Sequence, residues 1–409
     1  MTCVPPAASS RRGIACSGVL RIGSAVAAFA LAATAAAGAP ASARSAGWII
    51  QEERLTRGFP ISVSVVARGR LVYSHAGAIA RPPASNEKLL LSMALLDRFG
   101  PGYRIATSVE GSPAAQGVVA GDVWLVGHGD PELDDTALER LAVRMKTAGI
   151  RAVHGSVVGV TDTFTRERWA PGWQPIAMRF VGLPTALTFD GNSGAGGFVF
   201  DPERRAAAAL TADLRALGVR VGGPGRAGPE HRRRPVLARI ASAPLVDILR
   251  RQNVDSLNLD AEVLTKMLGA AAFGAPGSTA KGARAIEAWA RRHGVAVVAH
   301  DGSGLSYADR ITTNGMTQLL SAATSSAWGS AFRSTLPTSG QGTLAGRLAG
   351  VRVKAKTGTL LQQVSALSGW VWLERSRRWA EFSILSRGLQ KPRAVALEDR
   401  VVSIIADNT

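Results

Sequence analysis

Along most of the chain the hydrophobic positions fall into short runs whose spacing names the element. Ile61-Ser62-Val63-Ser64-Val65-Val66 alternates and is β-branched, and Leu71-Val72-Tyr73 follows an Arg-Gly-Arg turn, which predicts a hairpin. From Ala84 to Phe99 the apolar residues Leu89, Leu90, Met93, Leu95 and Leu96 recur at helical spacing, and Gly100-Pro101 stops the helix. Near the C-terminus, Val351 to Ala355, Val364 to Leu373 and Trp379 to Leu385 read as three strands. Their connections are short, so they should pair antiparallel. A last helix is expected from Pro392 to Ile405, with Val395, Val402 and Ile405 on its apolar face.

Between these ends the pattern changes. Residues about 105 to 240 are rich in Gly, Pro and short strand-like runs, such as Asp122 to Val126, Leu183 to Asp190 and Gly197 to Phe200. Helices are predicted at Thr136 to Ala148 and Leu210 to Leu217, and Gly222 to Pro235 reads as a linker. The expected organisation is a sheet-and-helix domain built from both chain ends, residues 48–104 and 241–409. A mostly-β insertion over 105–240 interrupts it.

The opening follows a different rule. Arg11, Arg12 and Arg21 precede or enter a small, apolar run from Ile22 to Ala39, and no acidic residue occurs before Glu52. Ala41-Ser42-Ala43 then supplies a small-residue cleavage pattern, so residues 1–43 are expected to be a secretory signal peptide cleaved near Ala43. An uncleaved anchor is the competing reading, but the run is Ala-rich and weakly hydrophobic. Cleavage would leave 366 residues (409 less 43) in the periplasm and remove both cysteines, Cys3 and Cys16. The mature chain would then hold no thiol, so neither a disulfide scaffold nor a Cys-rich zinc site is available.

Charge adds little to this. The formal net charge is +18, from 48 Lys+Arg against 30 Asp+Glu, and falls to +15 (18 less 3) without Arg11, Arg12 and Arg21. An exported protein rarely meets nucleic acid. The excess predicts instead a loose, salt-sensitive attraction to an anionic wall or membrane surface. His231-Arg232-Arg233-Arg234 is the one dense basic cluster and reads as a solvated loop, with a contact for an anionic polymer as the alternative. The six His residues contain no pair within four positions of each other, so no local metal pair exists. No metal or other cofactor is expected.

Candidate chemistry begins at Ser85-Asn86-Glu87-Lys88. Positions i and i+3 share one side of a helix. A Ser hydroxyl becomes a useful nucleophile only when a neighbour takes its proton, and a Lys amine with a lowered pKa can do so. The helix N-terminus adds N–H groups suited to developing negative charge. The same tetrad could equally be a helix cap, as is the simplest reading of the second one, Ser278-Thr279-Ala280-Lys281. Two further motifs tilt the choice toward chemistry. Ser256-Leu257-Asn258 is the only Ser-x-Asn and Lys356-Thr357-Gly358 the only Lys-Thr-Gly. Chance would supply roughly 0.4 and 0.04 of them, so the ordered triple is informative. In the last motif Lys and Thr can hold a carboxylate, and Gly can let an extended peptide approach a strand edge.

These three motifs resemble those of the penicillin-recognising serine enzymes. The insertion, Asp301-Gly302-Ser303-Gly304-Leu305-Ser306 and the Lys-Thr-Gly-Thr-Leu strand narrow the resemblance. They point to the D-alanyl-D-alanine carboxypeptidase/endopeptidase family, class C low-molecular-mass penicillin-binding proteins. The resemblance implies an α/β (α+β) transpeptidase-like domain, with a five-stranded antiparallel sheet flanked by helices, plus inserted mainly-β domains. It implies that Ser85 attacks the D-Ala-D-Ala carbonyl of peptidoglycan stem peptides and that Lys88 takes its proton. Ser256 would relay that proton to the leaving amine, and Asn258 would bind the acyl-side amide and order Lys88. Lys356 and Thr357 would hold the terminal carboxylate beside Gly358, and the N–H groups of Ser85 and Thr359 would form the oxyanion hole. β-Lactams should acylate the same serine and leave slowly.

The family grips the stem-peptide side-chain amine with an acidic or polar group, for which Asp130 and Asp190 are candidates; Asp260 stands where an aromatic is common. The alternatives are a β-lactamase or esterase on the same fold, or a non-catalytic cell-wall-binding protein. A nucleophile elbow is excluded, since Gly191-Asn192-Ser193-Gly194-Ala195 fails at its last position.

Overall fold

The structure is a computed structural model and describes residues 41–229 and 234–408. The expected leader up to residue 40, and His231, Arg232 and Arg233 of the basic cluster, lie outside the described residues. The described chain opens with α1 (Ala41–Thr56), the strands β1 (Ile61–Ala67) and β2 (Arg70–His75), and α2 (Glu87–Phe99) behind a single 3-10 turn over Ala84–Asn86. It continues through β3 (Arg104–Glu110), β4 (Val123–Gly127), α3 (Asp135–Thr147), β5 (Val157–Val160), α4 (Pro202–Ala216), β6 (Arg226–Gly228) and β7 (Val236–Pro244). Five helices follow: α5 (Leu245–Asp255), α6 (Asn258–Phe273), α7 (Thr279–Arg292), α8 (Thr313–Ser325) and α9 (Gly329–Ser334). The chain closes with β8 (Val353–Leu360), β9 (Val364–Leu373), β10 (Arg378–Arg387) and α10 (Lys391–Asn408). Pairings of only two residues carry no label.

Two five-stranded sheets organise the molecule. The first has the order β8-β9-β10-β1-β2 and is antiparallel throughout, so strands from the two chain ends meet at β10 and β1. Its side chains alternate between two cores, as a two-sided sheet requires. Val63, Val65, Leu367, Val371, Phe382 and Ile384 face a core completed by Trp48 of α1 and by Leu397, Val401 and Ile405 of α10. Ala366, Trp370 and Leu385 face the larger core, built with α2, α6, α7 and α8. Serines on that second face are paired rather than stranded: Ser64 Oγ lies 2.7 Å from Thr313 Oγ1, and Ser368 Oγ lies 2.9 Å from Ser383 Oγ.

α2 runs through the middle of the larger core. Leu89, Leu90, Leu91, Met93, Ala94, Leu95 and Leu96 are all buried, and so is the polar stripe of Lys88 and Ser92, whose Oγ accepts from Asn253 Nδ2 at 3.2 Å, so the helix is enclosed on every side. This fixes the position of its N-terminal turn, which carries Ser85.

The second sheet has the order β6-β5-β4-β3-β7 and is drawn entirely from residues 104–244. β3 pairs antiparallel with β4 and β7, whereas β4, β5 and β6 run parallel. α3 and α4 pack against it through Leu138, Leu141, Leu210 and Leu214. The region therefore carries two well-formed helices beside its strands. α4 starts at Pro202, earlier than the expected Leu210, because Pro at N1 initiates it and the Ala-rich stretch that follows carries no periodic signal.

Leu183 to Asp190 does not form the expected strand. Its carbonyls are taken by side chains and by a loop amide rather than a ladder. Lys266 Nζ donates to Pro184 O (3.1 Å), Asn192 Nδ2 to Leu183 O (2.7 Å), and Gly129 N to Ala186 O (2.8 Å). Gly197–Phe198 pairs for two residues only, with Ser193–Gly194. Within the expected linker, Arg226–Gly228 joins the sheet as β6. β8 extends past the expected Ala355 to Leu360, so Lys356-Thr357-Gly358 lies inside the strand.

Phe382 sits opposite Val65 on β1 and Gly369 on β9 and is fully buried. Phe382→Ala is expected to lower the unfolding free energy by about 3–5 kcal/mol. Leu71→Ala on the exposed outer strand should change it by less than about 0.5 kcal/mol. Urea melts of the two variants against wild type check this.

Candidate active site

The turn that carries Ser85 is held on three sides. Pro82-Pro83 leads in, and Ala84 takes a left-handed conformation (φ 47°), uncommon for a residue with a side chain. Asn86 Nδ2 donates to Lys356 O on β8 at 2.7 Å, tying the turn to the strand. The two also pack closely. A Cβ on Gly358 would lie 2.9 Å from Pro83 O and 3.0 Å from Ala84 Cβ. Gly358 is therefore needed for the turn to sit against the strand, a different reason from access by an extended peptide. On the other side, a Cβ on Gly304 (φ +77°) would fall 1.9 Å from Ala84 O. The 301–306 turn thus closes on the same residue.

Lys88 is one helical turn beyond Ser85 and fully buried. Its Nζ makes three contacts: Ser85 Oγ at 3.1 Å, Asn258 Oδ1 at 2.8 Å and Ser303 O at 2.7 Å. Asn258 Oδ1 and the Ser303 carbonyl are obligate acceptors. An amine that donates to those two keeps its lone pair for the serine hydroxyl. Burial pushes the Lys88 amine down to about 8, opposed by the carboxylates Asp301, Glu262, Asp260 and Glu87. The spacing from Ser85 thus sets a serine hydroxyl beside an amine that can shed its charge near neutral pH.

Ser256 and Asn258 sit where α5 gives way to α6. Ser256 ends α5 in a left-handed conformation (φ 60°, ψ 40°), and Asn258 opens α6. Asn258 Nδ2 donates to Phe180 O at 3.2 Å, which together with the Lys88 contact fixes the orientation of the amide. Ser85, Ser256, Asn258 and Thr359 line one cavity of about 250 Å³. Its remaining wall is largely apolar and includes Ile176, Phe180, Leu305, Tyr307 and Leu360.

Lys356 and Thr357 do not line that cavity; they lie on the edge strand β8, three and two residues before Thr359, and Asn86, next to Ser85, bonds to the main chain of Lys356 there. Lys356 is fully buried and its Nζ donates to Thr357 O at 3.0 Å. Burial, with Lys88 and Lys391 nearby, pushes its pKa well below the usual lysine range. Three amines thus cluster near one end of the site, an arrangement suited to an anion.

Asp130 and Asp190 separate. Asp130 is buried, accepts from Glu132 N at 3.0 Å and lines neither this cavity nor its neighbour. Asp190 lines an adjoining cleft of about 450 Å³ together with Glu132, Asp134 and Asp260, and the cleft shares Phe180 and Asn258 with the first cavity. Burial raises Asp260 to about 7, and Arg251 lies 3.8 Å from it. The second tetrad is a cap: Ser278 Oγ accepts from Lys281 N at 3.1 Å at the start of α7.

Two contributors escaped sequence reasoning. The Ser303 contact is a main-chain carbonyl, which no side-chain motif marks. Phe180 belongs to a loop of the 105–240 region that reaches over the cavity, and only its exposed aromatic ring hinted at a site.

The family described as D-Ala-D-Ala carboxypeptidase 3 (S13) matches residues 47–195 and 194–408 of this chain. The D-alanyl-D-alanine carboxypeptidase of Actinomadura sp. (strain R39) is 28% identical over 452 residues, covering 88% of this chain and 83% of that protein. Carboxypeptidase DacB of Mycolicibacterium smegmatis is 28% identical over 350 residues, covering 78% of this chain and 74% of that one. The fold is also that of penicillin binding protein 4 (dacB) from Haemophilus influenzae, with a TM-score of 0.74 at 19% identity over 87% of this chain and 99% of that one.

Gly358→Ala is expected to push the Ser85 turn off β8. Labelling of the protein by a reactive penicillin should slow at least about tenfold while the far-UV circular dichroism spectrum is retained. Unchanged labelling would show that the close packing at Gly358 does not position Ser85.

Proposed function

We propose that this chain, which belongs to the D-Ala-D-Ala carboxypeptidase 3 (S13) family, cleaves D-Ala-D-Ala bonds of peptidoglycan stem peptides through an acyl-enzyme on Ser85. It is a serine-type D,D-peptidase, acting as carboxypeptidase, cross-link endopeptidase or both. The observation that carries the assignment of roles is the buried Lys88 amine, bonded at once to Ser85 Oγ and Asn258 Oδ1 at the edge of a cavity.

In this reading Ser85 Oγ attacks the carbonyl carbon of the scissile amide, and its proton passes to Lys88 Nζ. The oxyanion is held by the N–H groups of Ser85 and Thr359. The C–N bond breaks as Ser256 relays the proton to the departing D-Ala amine. Water then cleaves the ester and restores Ser85. Lys356 and Thr357 hold the terminal carboxylate of the substrate. The anion supplies the counter-charge that buried Lys356 otherwise lacks, which raises its pKa and keeps it cationic when substrate is bound.

In the cleft beside Asn258 the carboxyl groups of Glu132, Asp134, Asp190 and Asp260 outnumber the one cation among the described lining residues, Arg251, which is paired with Glu132, and this excess suits the side-chain amine of a stem peptide. The peptidase part is drawn from residues about 48–104 and 241–409, with 105–240 supplying the loop over the site. The protein is exported after cleavage near Ala43 and works in the periplasm, loosely drawn to anionic wall or membrane. No described helix is long and apolar enough to cross a membrane.

A β-lactamase needs a group that activates water against the acyl-enzyme. Among the described residues lining the cavity there is no carboxylate. This favours slow release of a penicilloyl group.

A fluorescent penicillin should form a stable adduct that maps to the peptide containing Ser85 and is absent from Ser85→Ala. Rapid release of hydrolysed penicillin would indicate a β-lactamase, and neither adduct nor hydrolysis a binding protein. Lys88 must be neutral to accept the proton, and its neutral fraction grows as pH rises through about 8. The acylation rate should therefore climb with pH and level off above about 8. A flat profile between pH 6 and 9 would remove Lys88 from the role of base.

A further inference from the structure

We propose that Glu262 and Asp301 are positioning residues for the base, holding the 301–306 turn so that Ser303 O meets Lys88 Nζ and placing negative charge beside that amine. The inference rests on the acyl-enzyme reading above.

The turn is clasped through its N–H groups. Glu262 Oε1 on α6 accepts from Gly302 N (3.1 Å) and Ser303 N (2.9 Å). Asp301 accepts from Gly304 N (2.7 Å) through Oδ1 and from Ser306 N (2.8 Å) through Oδ2. Both carboxyl groups are buried, Glu262 at 1% exposure and Asp301 at 0%. With four amides pointed into two carboxylates, the carbonyl of Ser303 is left facing the other way, where it accepts from Lys88 Nζ at 2.7 Å. A buried carboxylate bound by two N–H groups is a strong, directional clamp.

The clasp extends to the 105–240 region. Trp173 Nε1 donates to Asp301 Oδ2 at 2.6 Å, Ser306 Oγ to Pro171 O at 2.7 Å, and Tyr307 N to Gly172 O at 3.0 Å. The segment around residue 172 therefore bears on the base through the turn, without touching it.

The electrostatic surroundings of Lys88 come from every element packed on it. Glu87 lies on its own helix, Asp260 and Glu262 on α6, and Asp301 on the turn, all favouring the charged amine. Lys356 on β8 is the neighbouring amine. Behind Asp301 stands Asp309, fully buried, with His300 bonded to it, and Glu287 faces Glu87. Burial, with Asp301 and Glu87 nearby, pushes the Asp309 carboxyl well above the usual carboxylate range. Glu262 is raised to about 7, mainly by burial, and so carries its charge at the alkaline side of the working range.

The charge and the clasp can be separated by two substitutions. Glu262→Gln keeps an oxygen for the two amides but removes the charge that favours the lysine cation. The pH at which penicillin acylation reaches half its plateau should fall by roughly half to one unit, with the plateau within about threefold of wild type. Glu262→Ala leaves two buried N–H groups unpaired and should slow acylation at least about tenfold at every pH, with noncovalent penicillin affinity little changed. Rates are referred to the fraction of enzyme that is folded, measured by circular dichroism.

An unshifted pH midpoint in Glu262→Gln, together with a wild-type rate per folded molecule in Glu262→Ala, would overturn the proposal. If neither variant folds, Trp173→Phe decides. It removes only the indole donor to Asp301, and slowed acylation with unchanged affinity supports the clasp, while wild-type kinetics refute it. Wild type is labelled in the same series. Absence of its adduct would sink the acyl-enzyme reading itself, whereas labelled wild type with unaltered variants would sink only this inference.

Discussion

The site depends on one buried amine. Lys88 Nζ has no access to water, and an ammonium there would be costly unless its hydrogens were all taken. Three oxygens surround it, from Ser85, Asn258 and Ser303, and they come from three separate parts of the chain. Two are obligate acceptors and the third is a hydroxyl that can donate. That asymmetry suits the proposed exchange of a proton: the amine gives hydrogen bonds to Asn258 and Ser303 and keeps its lone pair for the hydroxyl of Ser85. Burial lowers the amine toward about 8 and the ring of carboxylates limits how far it falls. With burial alone the base would be too weak, and with more charge it would stay protonated.

Most of the surrounding structure can be understood as holding those three oxygens still. α2 is buried on all sides, by the larger core and by polar partners of Lys88 and Ser92, so its first turn cannot shift without opening that core. The 3-10 turn before it is pressed between β8 and the 301–306 turn at contacts where Gly358 and Gly304 leave no room for a Cβ. Asn86 bonds to the main chain of Lys356, so the Ser85 turn and the strand proposed to hold the substrate carboxylate are tied together directly. The two sheets contribute differently. The antiparallel sheet fixes β8 from one side, and the 105–240 region sends a loop whose Phe180 carbonyl orients Asn258.

What the sequence made legible was what side-chain type and spacing can encode. The β1–β2 hairpin, α2, α3, β9 and α10 were readable because their apolar periodicity is strong and their ends carry Gly, Pro or charged residues. The three motifs were readable because their chemistry needs particular residues at particular separations, and Ser85, Ser256 and Asn258 do line one cavity. Leu183 to Asp190 was misread as a strand because an apolar run can be buried as irregular chain when Lys266 and Asn192 reach its carbonyls. Periodicity does not report that. The packing of Gly358 against Pro83 and Ala84 was not legible, since a strand glycine reveals a close approach but not which neighbour approaches. The carbonyl of Ser303 was invisible for a more basic reason: every residue has one, and only the fold decides where it points.

Within its three-oxygen cradle the Lys88 amine is poised to lose its charge near pH 8. The most direct measurement is NMR titration of the lysine side-chain resonances in isotopically labelled protein, with Lys88 assigned from the spectrum of Lys88→Arg. The account predicts that the Lys88 signal titrates at about 8. A Lys88 signal that stays cationic beyond about pH 10, the ordinary lysine range, would contradict it.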